Sequence, residues 1–178
     1  LILASGAEAV RLPESADLPL RRVRGQVTHL PAARLPPIAL ALCREGYVAP
    51  AMDGVVCAGA SYAEDEAPRP RTEDDAGNLR RLEHILPGFA AGLEAAELSG
   101  RVGFRSVAPD RLPLVGALPA ERIDSLGREV RLADVPRLEG CHGLLGLASR
   151  GLVWAELAAE LLAAQIEGEP LPLEKDLA

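Results

Sequence analysis

The stretch Gly143-Leu-Leu-Gly-Leu-Ala-Ser-Arg-Gly151 is punctuated by glycine and leads directly into a long apolar segment. In that segment the apolar residues recur at helical spacing, at Val153, Trp154, Leu157, Ala158, Leu161 and Leu162. The pattern predicts a helix from about Leu152 to Glu167, which ends at Gly168 and buries a wide apolar stripe in the core.

A glycine-rich loop before a helix presents free backbone N–H groups and a partial positive charge. That combination suits an anion or an electron-rich ring edge. Glycine also tolerates positive φ, so such a loop can serve only for tight strand-to-helix packing. The pattern by itself leaves both interpretations open.

Upstream of this loop, two segments have the alternation of strands on an antiparallel sheet. The first runs from Leu18 to Leu30 and the second from Gly100 to Ala108, where the turn at Pro109–Pro113 ends it. Between them, Asp53-Gly54 separates two β-rich runs and predicts a hairpin. One face of the first strand would carry Arg24, Gln26 and Thr28.

The chain opens on the apolar run Leu1–Ala4, which predicts a strand in a parallel sheet that is covered on both faces. There is neither an initiator methionine nor the basic start of a signal peptide, so we expect that preceding residues are missing. Leaving a parallel sheet incomplete exposes apolar surface, and a dimer of the fragment is one expected consequence.

The charges are unevenly distributed. An acidic stretch at residues 64–75 predicts a solvated loop followed by a helix that Asp74 or Asp75 caps and that stops before Pro87. The early arginines, among them Arg24, could contact a polyanion, although scattered surface arginines are commoner. The net charge of −7 argues against nonspecific nucleic-acid binding by the chain as a whole.

Composition excludes several classes of protein. At 178 residues and 48% hydrophobic content the chain can bury one sizeable core, and no apolar run reaches the roughly 20 residues of a membrane span. Three widely spaced cysteines favour a reducing, cytoplasmic setting in which each is a small buried hydrophobe. No GxSxG, P-loop, HExxH or CxxC motif is present, so hydrolase and metalloenzyme functions have no support.

Two single residues are candidates for chemistry. Arg105 lies in a strand of apolar and small residues, where a guanidinium needs an anion; a structural salt bridge is the commoner explanation. Tyr47 begins a hairpin strand and could turn its hydroxyl into a cavity, although such a residue more often packs with its hydroxyl in water. The three histidines are too widely spaced to suggest a catalytic base.

The order of several phrases resembles the D-amino-acid oxidase and glycine oxidase superfamily over nearly the whole chain. These phrases are Leu3-Ala-Ser-Gly-Ala7, Arg24-Gly-Gln26, Gly46-Tyr-Val-Ala-Pro50, Gly103-Phe-Arg105, Asp110-Arg-Leu-Pro-Leu-Val-Gly116 and Gly146-Leu-Ala-Ser-Arg-Gly151. Within it, Cys43-Arg-Glu-Gly-Tyr47, Gly59-Ala-Ser-Tyr62, Val107–Gly116 and Ala148–Leu152 look most like the C-terminal FAD-dependent oxidoreductase domain of the bifunctional tRNA 5-methylaminomethyl-2-thiouridine biosynthesis proteins.

The resemblance implies a reaction. Proteins of that family use FAD to remove the carboxymethyl group from 5-carboxymethylaminomethyluridine at the tRNA wobble position. A separate N-terminal methyltransferase domain then methylates the amine with S-adenosylmethionine. Neither that domain nor the GxGxxG segment that holds the FAD pyrophosphate occurs in this sequence, so we expect a piece of the enzyme that is inactive alone.

The resemblance also assigns roles to residues. Arg105 matches the position that clamps the substrate carboxylate, and Tyr47 matches the active-site tyrosine of the related amino-acid oxidases. The flavin-contacting loop at the pyrimidine edge of the isoalloxazine comprises Gly146, Ala148, Ser149, Arg150 and Gly151. No metal is implied.

The implied fold is α+β, an antiparallel-sheet substrate domain flanked by partial pieces of an α/β FAD-binding domain. The predicted limits are 1–19 for the first FAD-domain piece, 20–118 for the substrate domain, 119–139 for a surface connection and 140–178 for the flavin-contacting loop and C-terminal helix. Two alternatives stay open: a small-molecule amine oxidase of the glycine or sarcosine oxidase type, and a non-catalytic module that binds tRNA or a partner.

Overall fold

A computed structural model describes residues 1–121 and 131–174 of the chain. The strands are β1 (Ile2–Leu3), β2 (Arg21–Pro31), β3 (Leu42–Cys43), β4 (Tyr47–Val48), β5 (Val55–Gly59), β6 (Ser99–Val107), β7 (Leu114–Pro119) and β8 (Arg137–Leu145). The helices are α1 (Thr72–Ile85) and α2 (Gly151–Glu167). Short 3-10 turns lie at Gly6–Arg11, Ala32–Arg34, Ala95–Glu97 and Leu132–Asp134.

The chain divides into two compact units. The first unit combines Leu1–Arg22 with Arg105–Ala178, and the second unit is Val23–Phe104. Strands β2 and β6 each continue along the chain from one unit into the other. The predicted domain limits, at residues 19, 118 and 139, remain predictions.

The first unit contains a three-stranded sheet in the order β1-β8-β7. The β1 strand runs parallel to β8, as its apolar sequence predicts, and pairs Ile2 with His142. Only one face of β1 is covered within the chain, because Leu3 is buried while Ile2 is 54% exposed. The exposed Ile2 agrees with the apolar surface expected of an incomplete sheet, and coverage of the second face by other residues stays a prediction.

Strand β8 was not predicted. Its residues fall partly in the expected surface connection and partly in the expected glycine loop, and Gly140 and Gly143 interrupt its alternation. It pairs antiparallel with β7 from Leu114↔Leu145 to Pro119↔Arg137. The middle of the predicted connection, residues 122–130, lies outside the described residues.

Helix α2 follows β8 and packs on β7 and β8. Its C-terminal half buries Ala158, Leu161 and Leu162 as predicted. The predicted apolar stripe does not continue into the first turn, where Leu152 is 99% and Val153 is 75% exposed. That first turn therefore presents apolar side chains to solvent in this chain.

The second unit contains a five-stranded sheet in the order β3-β4-β5-β2-β6. Strand β2 pairs antiparallel with β5, and β5 pairs antiparallel with β4. At the predicted hairpin turn, Asp53 and Gly54 both adopt positive φ, 50° and 80°, which is the conformation that makes Asp-Gly a frequent hairpin sequence.

Helix α1 packs against this sheet through Leu82, which joins Leu30, Val56 and Phe89 in the core. The helix begins earlier than predicted, at Thr72, with Arg71 as the residue before it and no side-chain cap. The expected cap at Asp74 or Asp75 is wrong because both carboxylates lie inside the first turn and turn toward β2.

The polar face of β2 is buried rather than solvated. Arg24, Gln26 and Thr28 are all 0% exposed, so the expectation of scattered surface arginines is wrong for Arg24, whereas Arg21, Arg34 and Arg44 are exposed. The Arg24 guanidinium donates to Asp74 and to the carbonyl oxygens of Ala67 and Arg69. We call this set of contacts the Arg24 network.

The network extends from Arg24 to helix α1. Gln26 donates to the carbonyl oxygen of Arg71 at 2.8 Å and accepts from the backbone N–H of Arg71 at 2.8 Å. Thr28 donates to Asp75 at 2.6 Å, and Asn78 donates to the hydroxyl of Thr28 at 3.0 Å. The acidic stretch is therefore in part the counter-charge of a buried arginine, which corrects the prediction of a solvated segment.

Asp65 and Arg71 form a partly exposed ion pair beside the Arg24 network. Arg71 donates two hydrogen bonds of 2.8 Å to the Asp65 carboxylate, and the backbone N–H of Ala67 donates a third of 2.9 Å. The Arg71 hydrogen bonds are the main reason that the pKa of Asp65 lies below its ordinary value, and the Ala67 N–H lowers it further. The carboxylate therefore stabilises the folded state only while it is ionised.

This pair predicts a pH dependence. Because the folded pKa of Asp65 is lowered, its contribution is complete above the ordinary carboxyl pKa of about 4 and is lost as pH falls through the lowered value. In Asp65→Asn, the opening free energy of α1 should fall below wild type at pH 6 and converge with it toward pH 2. Native-state amide exchange in the full-length protein measures this, and Arg71→Met should give the same convergence. A wild-type-minus-variant difference that stays constant with pH would contradict the assignment.

Candidate flavin and substrate site

The predicted flavin-contacting loop lies in the first unit, between β8 and α2. It is shaped by two residues of positive φ, Gly146 at 71° and Ala148 at 51°, and closed by a 3.1 Å hydrogen bond from Arg150 N–H to the Leu147 carbonyl. Glycine is the expected residue at the first position. At the second position, Ala148 adopts a conformation that residues with a side chain rarely adopt. Because the residue is not glycine, the sequence gives no sign of this positive φ.

Strand β6 holds the loop in place. The N–H of Ala148 donates to the carbonyl oxygen of Ser106 at 2.9 Å, and Val107 forms an antiparallel bridge with Leu147. Arg105 directly precedes Ser106 on the same strand. The structure thus brings the predicted carboxylate clamp and the predicted loop to neighbouring positions of one unit.

The loop presents open backbone donors at the start of α2. The N–H groups of Val153 and Trp154 donate back to the Arg150 carbonyl at 3.0 Å, and no side chain caps the helix. The first N–H groups of a helix have no partner inside it, so those of Gly151 and Leu152 are left for a group outside the helix. Together with the helix dipole, they form a small positive site suited to an electron-rich ring edge or an anion.

Arg105 occupies a partly sheltered position. Arg105 is half-buried as a whole, and the Nη1 atom of its guanidinium is shielded from solvent. A guanidinium in such a place interacts more strongly with an anion than a solvent-exposed one does, because less water screens the charge. The environment therefore suits recognition of a carboxylate.

Ser106 is a residue that the sequence did not single out. Its backbone carbonyl receives the loop, and its buried hydroxyl has no hydrogen-bond partner among the described residues. In native proteins such a hydroxyl is ordinarily satisfied by water or by a bound group. The sequence contained no signal for it, because a serine beside an arginine in a strand is unremarkable until the pairing with Ala148 is known.

Tyr47 lies in the second unit, on β4. Its phenol ring covers Gly59 of the neighbouring strand, with ring and hydroxyl atoms 3.2 Å from where a Cβ at Gly59 would stand. A side chain at position 59 would therefore displace the ring. The structure places Tyr47 and Arg105 in different units, and the predicted role of each stays a prediction.

The cysteines and the described helices bear on two further predictions. Cys141 is buried, but Cys43 is exposed and Cys57 is half-buried, so the expectation that each is a buried hydrophobe holds for one of them. In the described ranges, no helix combines the length and apolarity needed to cross a membrane. No cluster of metal-ligating side chains is found among the same residues.

Residues 1–165 match the protein family described as FAD dependent oxidoreductase. The match covers the sheet of the first unit, the whole second unit and most of α2. The chain therefore belongs to this family of FAD-dependent oxidoreductases.

Within that family, the chain is similar to particular bifunctional proteins. It is 52% identical over 177 residues to the tRNA 5-methylaminomethyl-2-thiouridine biosynthesis bifunctional protein MnmC of Aromatoleum aromaticum. It is 49% identical over 178 residues to the protein of the same name from Azoarcus sp. strain BH72. Each comparison covers 99% of this chain and 28% of the relative, so the chain spans about 28% of the length of these relatives. The predicted resemblance is confirmed.

Solved structures agree on the fold. The chain superposes on iminodiacetate oxidase from Chelativorans sp. BNC1 with a TM-score of 0.68 and 24% identity, over 97% of this chain and 43% of that one. Glycine oxidase from Geobacillus kaustophilus gives a TM-score of 0.66 and 19% identity, over 97% and 42%. The predicted α+β fold class of the D-amino-acid oxidase type is confirmed.

The described residues fit one part of a flavin. The uncapped start of α2, with the open N–H groups of Gly151 and Leu152, suits the negative edge of the isoalloxazine ring. The sequence contains no GxGxxG segment for the pyrophosphate. The flavin contacts assigned to this loop, and the absence of the diphosphate contacts from this chain, therefore stay predictions.

Proposed function

We propose that this chain is the substrate-binding part of an FAD-dependent oxidoreductase that removes the carboxymethyl group from 5-carboxymethylaminomethyl-(2-thio)uridine at the tRNA wobble position. The observation that carries the proposal is the 52% identity over 177 residues to a protein named for biosynthesis of the modified uridine. The placement of Arg105 beside the loop at the start of α2 supports it. The reaction requires the rest of the protein, including the residues that hold the FAD diphosphate.

Arg105 would bind the carboxylate of the substrate's carboxymethyl group. Its planar guanidinium can donate two parallel hydrogen bonds, and this geometry fixes the orientation of the adjacent carbon as well as its position. Bound FAD supplies a two-electron acceptor. Orientation matters because hydride transfer requires the carbon to be held in a narrow range of geometries.

The proposed reaction balances without a side chain that acts as an acid or a base. The carboxymethyl carbon loses a hydride while the nitrogen lone pair forms the C=N bond. Water then adds to that iminium carbon, and cleavage of the C–N bond yields the primary amine on the tRNA and a two-carbon aldehyde acid. The N–H groups of Gly151 and Leu152 would stabilise the negative charge that the two electrons bring to the ring edge.

Other parts of the proposal concern the remainder of the protein. The relatives are named as bifunctional, and 72% of their length lies outside this chain, since the match covers 28%. We propose that this remainder includes a methyltransferase that uses S-adenosylmethionine on the amine released here. The protein would act in the cytoplasm, where its tRNA substrate and its free cysteines are both expected.

The proposal predicts products that can be measured. The flavin-loaded full-length protein should convert tRNA carrying the carboxymethylaminomethyl group into tRNA with the aminomethyl group, and should release one aldehyde acid per tRNA. Nucleoside mass analysis after nuclease digestion measures the first product, and an aldehyde-trapping reagent measures the second. Oxidation of glycine or sarcosine, with no reaction on the tRNA, would instead identify a small-molecule amine oxidase. A protein that binds flavin and oxidises neither substrate would favour the non-catalytic alternative.

A further inference from the structure

Helix α1 carries opposite charges at its two ends. Its first turn contains Asp74 and Asp75, whose carboxylates are engaged with Arg24 and Thr28 of β2. Its last turns contain Arg80, Arg81 and the exposed His84. The intervening carboxylate, Glu83, accepts the backbone N–H of Gly88 at 3.0 Å, toward the end of the helix. Three of the four carboxylates of α1 are thus engaged elsewhere, and the fourth, Glu73, is exposed in the first turn.

Two arginines of α1 hold their charges close together. A Cβ built on Gly77 would lie 3.4 Å from Nη1 of Arg81 and 3.8 Å from Nη2 of Arg80. Both guanidinium groups therefore flank the same point above the helix backbone. Gly77 itself is buried, so the two arginine side chains lie over the glycine.

A third arginine approaches the same part of α1 from the turn between β3 and β4. Nη1 of Arg44 lies 3.5 Å from the carbonyl oxygen of His84. In the same turn, the Cβ position of Gly46 lies 3.3 Å from the side chain of Arg81. The turn is therefore seated against α1, and Arg44, Arg80 and Arg81 make up what we call the arginine surface.

Within the part of the chain that the structure describes, the arginine surface lacks the carboxylate partners that Arg24, Arg34 and Arg71 of this unit have. Among the described residues, none of its three members forms a salt bridge, and Arg81 donates only to the amide oxygen of Asn78 at 3.1 Å. By contrast, Arg34 pairs with Glu97 at 3.6 Å. Exposed Glu45 lies beside Arg44 in sequence but forms no ion pair in the described ranges. Neighbouring positive charges repel each other, so an anion between them is attracted by both and relieves their repulsion.

We propose that the arginine surface contacts backbone phosphates of the tRNA substrate. The proposal rests on the function proposed above and adds a location for the RNA. Arg44 and Arg80 are exposed and Arg81 is half-buried, so the charges lie at the surface, which suits an extended polyanion. In a chain of net charge −7, a local group of unpaired arginines is also where a polyanion is attracted.

The test compares two double variants of the flavin-loaded full-length protein. Arg44→Gln with Arg80→Gln removes two charges from the arginine surface and leaves Arg81, which packs on Gly46, in place. The matched control is Arg11→Gln with Arg34→Gln, which removes the same net charge from exposed residues already paired with Glu8 and Glu97. Dissociation constants for tRNA are measured between about 50 and 200 mM salt, the range over which phosphate binding changes steeply, and urea midpoints confirm that both variants fold.

The surface variant should bind tRNA about tenfold more weakly at low salt. Its slope of log Kobs against log salt concentration should fall by about 1.4 to 1.8, at roughly 0.7 to 0.9 for each phosphate that the variant no longer neutralises. The control should keep the wild-type slope. An unchanged slope in the surface variant, or an equal decrease in the control, would overturn the proposal.

The reaction of the wild-type protein separates this proposal from the proposed function. If wild type oxidises the tRNA and the surface variant binds it as tightly, the arginine surface is wrong and the function stands. If wild type binds tRNA but does not oxidise it, and the surface variant binds tRNA more weakly, the proposal for the arginine surface stands and the proposed function is wrong. If wild type oxidises only small amines and binds no tRNA, both are wrong.

Discussion

Arg105→Ala in the full-length protein should lower kcat/KM for the modified tRNA by about 30- to several thousand-fold while the flavin stays bound. The decrease corresponds to about 2–5 kcal/mol, the usual effect of removing one partner of a sheltered hydrogen-bonded charge pair. Arg105 is half-buried, and the residue after it holds the loop at the start of α2, so a carboxylate bound there would lie beside the loop. Steady-state rates and the flavin absorbance spectrum check the two halves of the prediction.

The control variant for this prediction keeps the positive charge at position 105 but lacks the planar guanidinium group. Arg105→Lys supplies a point charge without the planar fork, so it should recover only part of the rate. A loss of flavin in Arg105→Ala would mean that the residue supports the fold around the loop. Wild-type turnover with the flavin in place would refute its role as a clamp.

Sequence patterns predicted those elements of the fold that are determined by residues close together in the chain. The alternation in β2 and β6, the Asp53-Gly54 turn and the C-terminal half of α2 each follow from neighbours within a few residues. Strand β8 was missed because its glycines suggested a loop. Its pairing with β1 and β7 is a tertiary interaction, and this pairing outweighs the local preference for a loop.

The candidate site was predictable in the same measure. The loop before α2 was visible from its glycines, and Arg105 from being a charge in an apolar strand. The hydrogen bond from Ala148 to Ser106 was not visible, because it joins segments far apart in the chain. The positive φ of Ala148 was hidden for a different reason, since alanine gives no sign of that conformation. Such features depend on the folded backbone rather than on residue type.

The burial of Arg24 shows the same limit in energetic terms. Its position in the sequence places it among the early arginines, for which a surface position is commoner, but the acidic residue that neutralises it, Asp74, lies at the start of α1. A charge is buried only where partners replace its water, so the sequence could indicate that Arg24, Gln26 and Thr28 share a face but not that this face is covered.

Arg24→Ala should reduce the stability of the second unit by about 3–5 kcal/mol. Arg24 is 0% exposed and donates to Asp74, Gln26 and two backbone carbonyls, so its removal leaves buried acceptors without their donor. Domains are typically stable by only about 5–15 kcal/mol, so the unit should open measurably in the variant. Native-state amide exchange of β2 and α1 in the full-length protein measures the opening free energy directly.

Two further variants test whether the broken pairing is the cause. Arg24→Met with Asp74→Leu removes both charges and should recover part of the stability, because replacing a buried ion pair by apolar groups of similar volume is often neutral. Arg34→Ala, which removes the exposed pair with Glu97, should cost at most about 1 kcal/mol. A decrease in Arg24→Ala no larger than that in Arg34→Ala would show that the buried network contributes little. A double variant as unstable as Arg24→Ala would instead assign the effect to the backbone carbonyls that Arg24 alone satisfies.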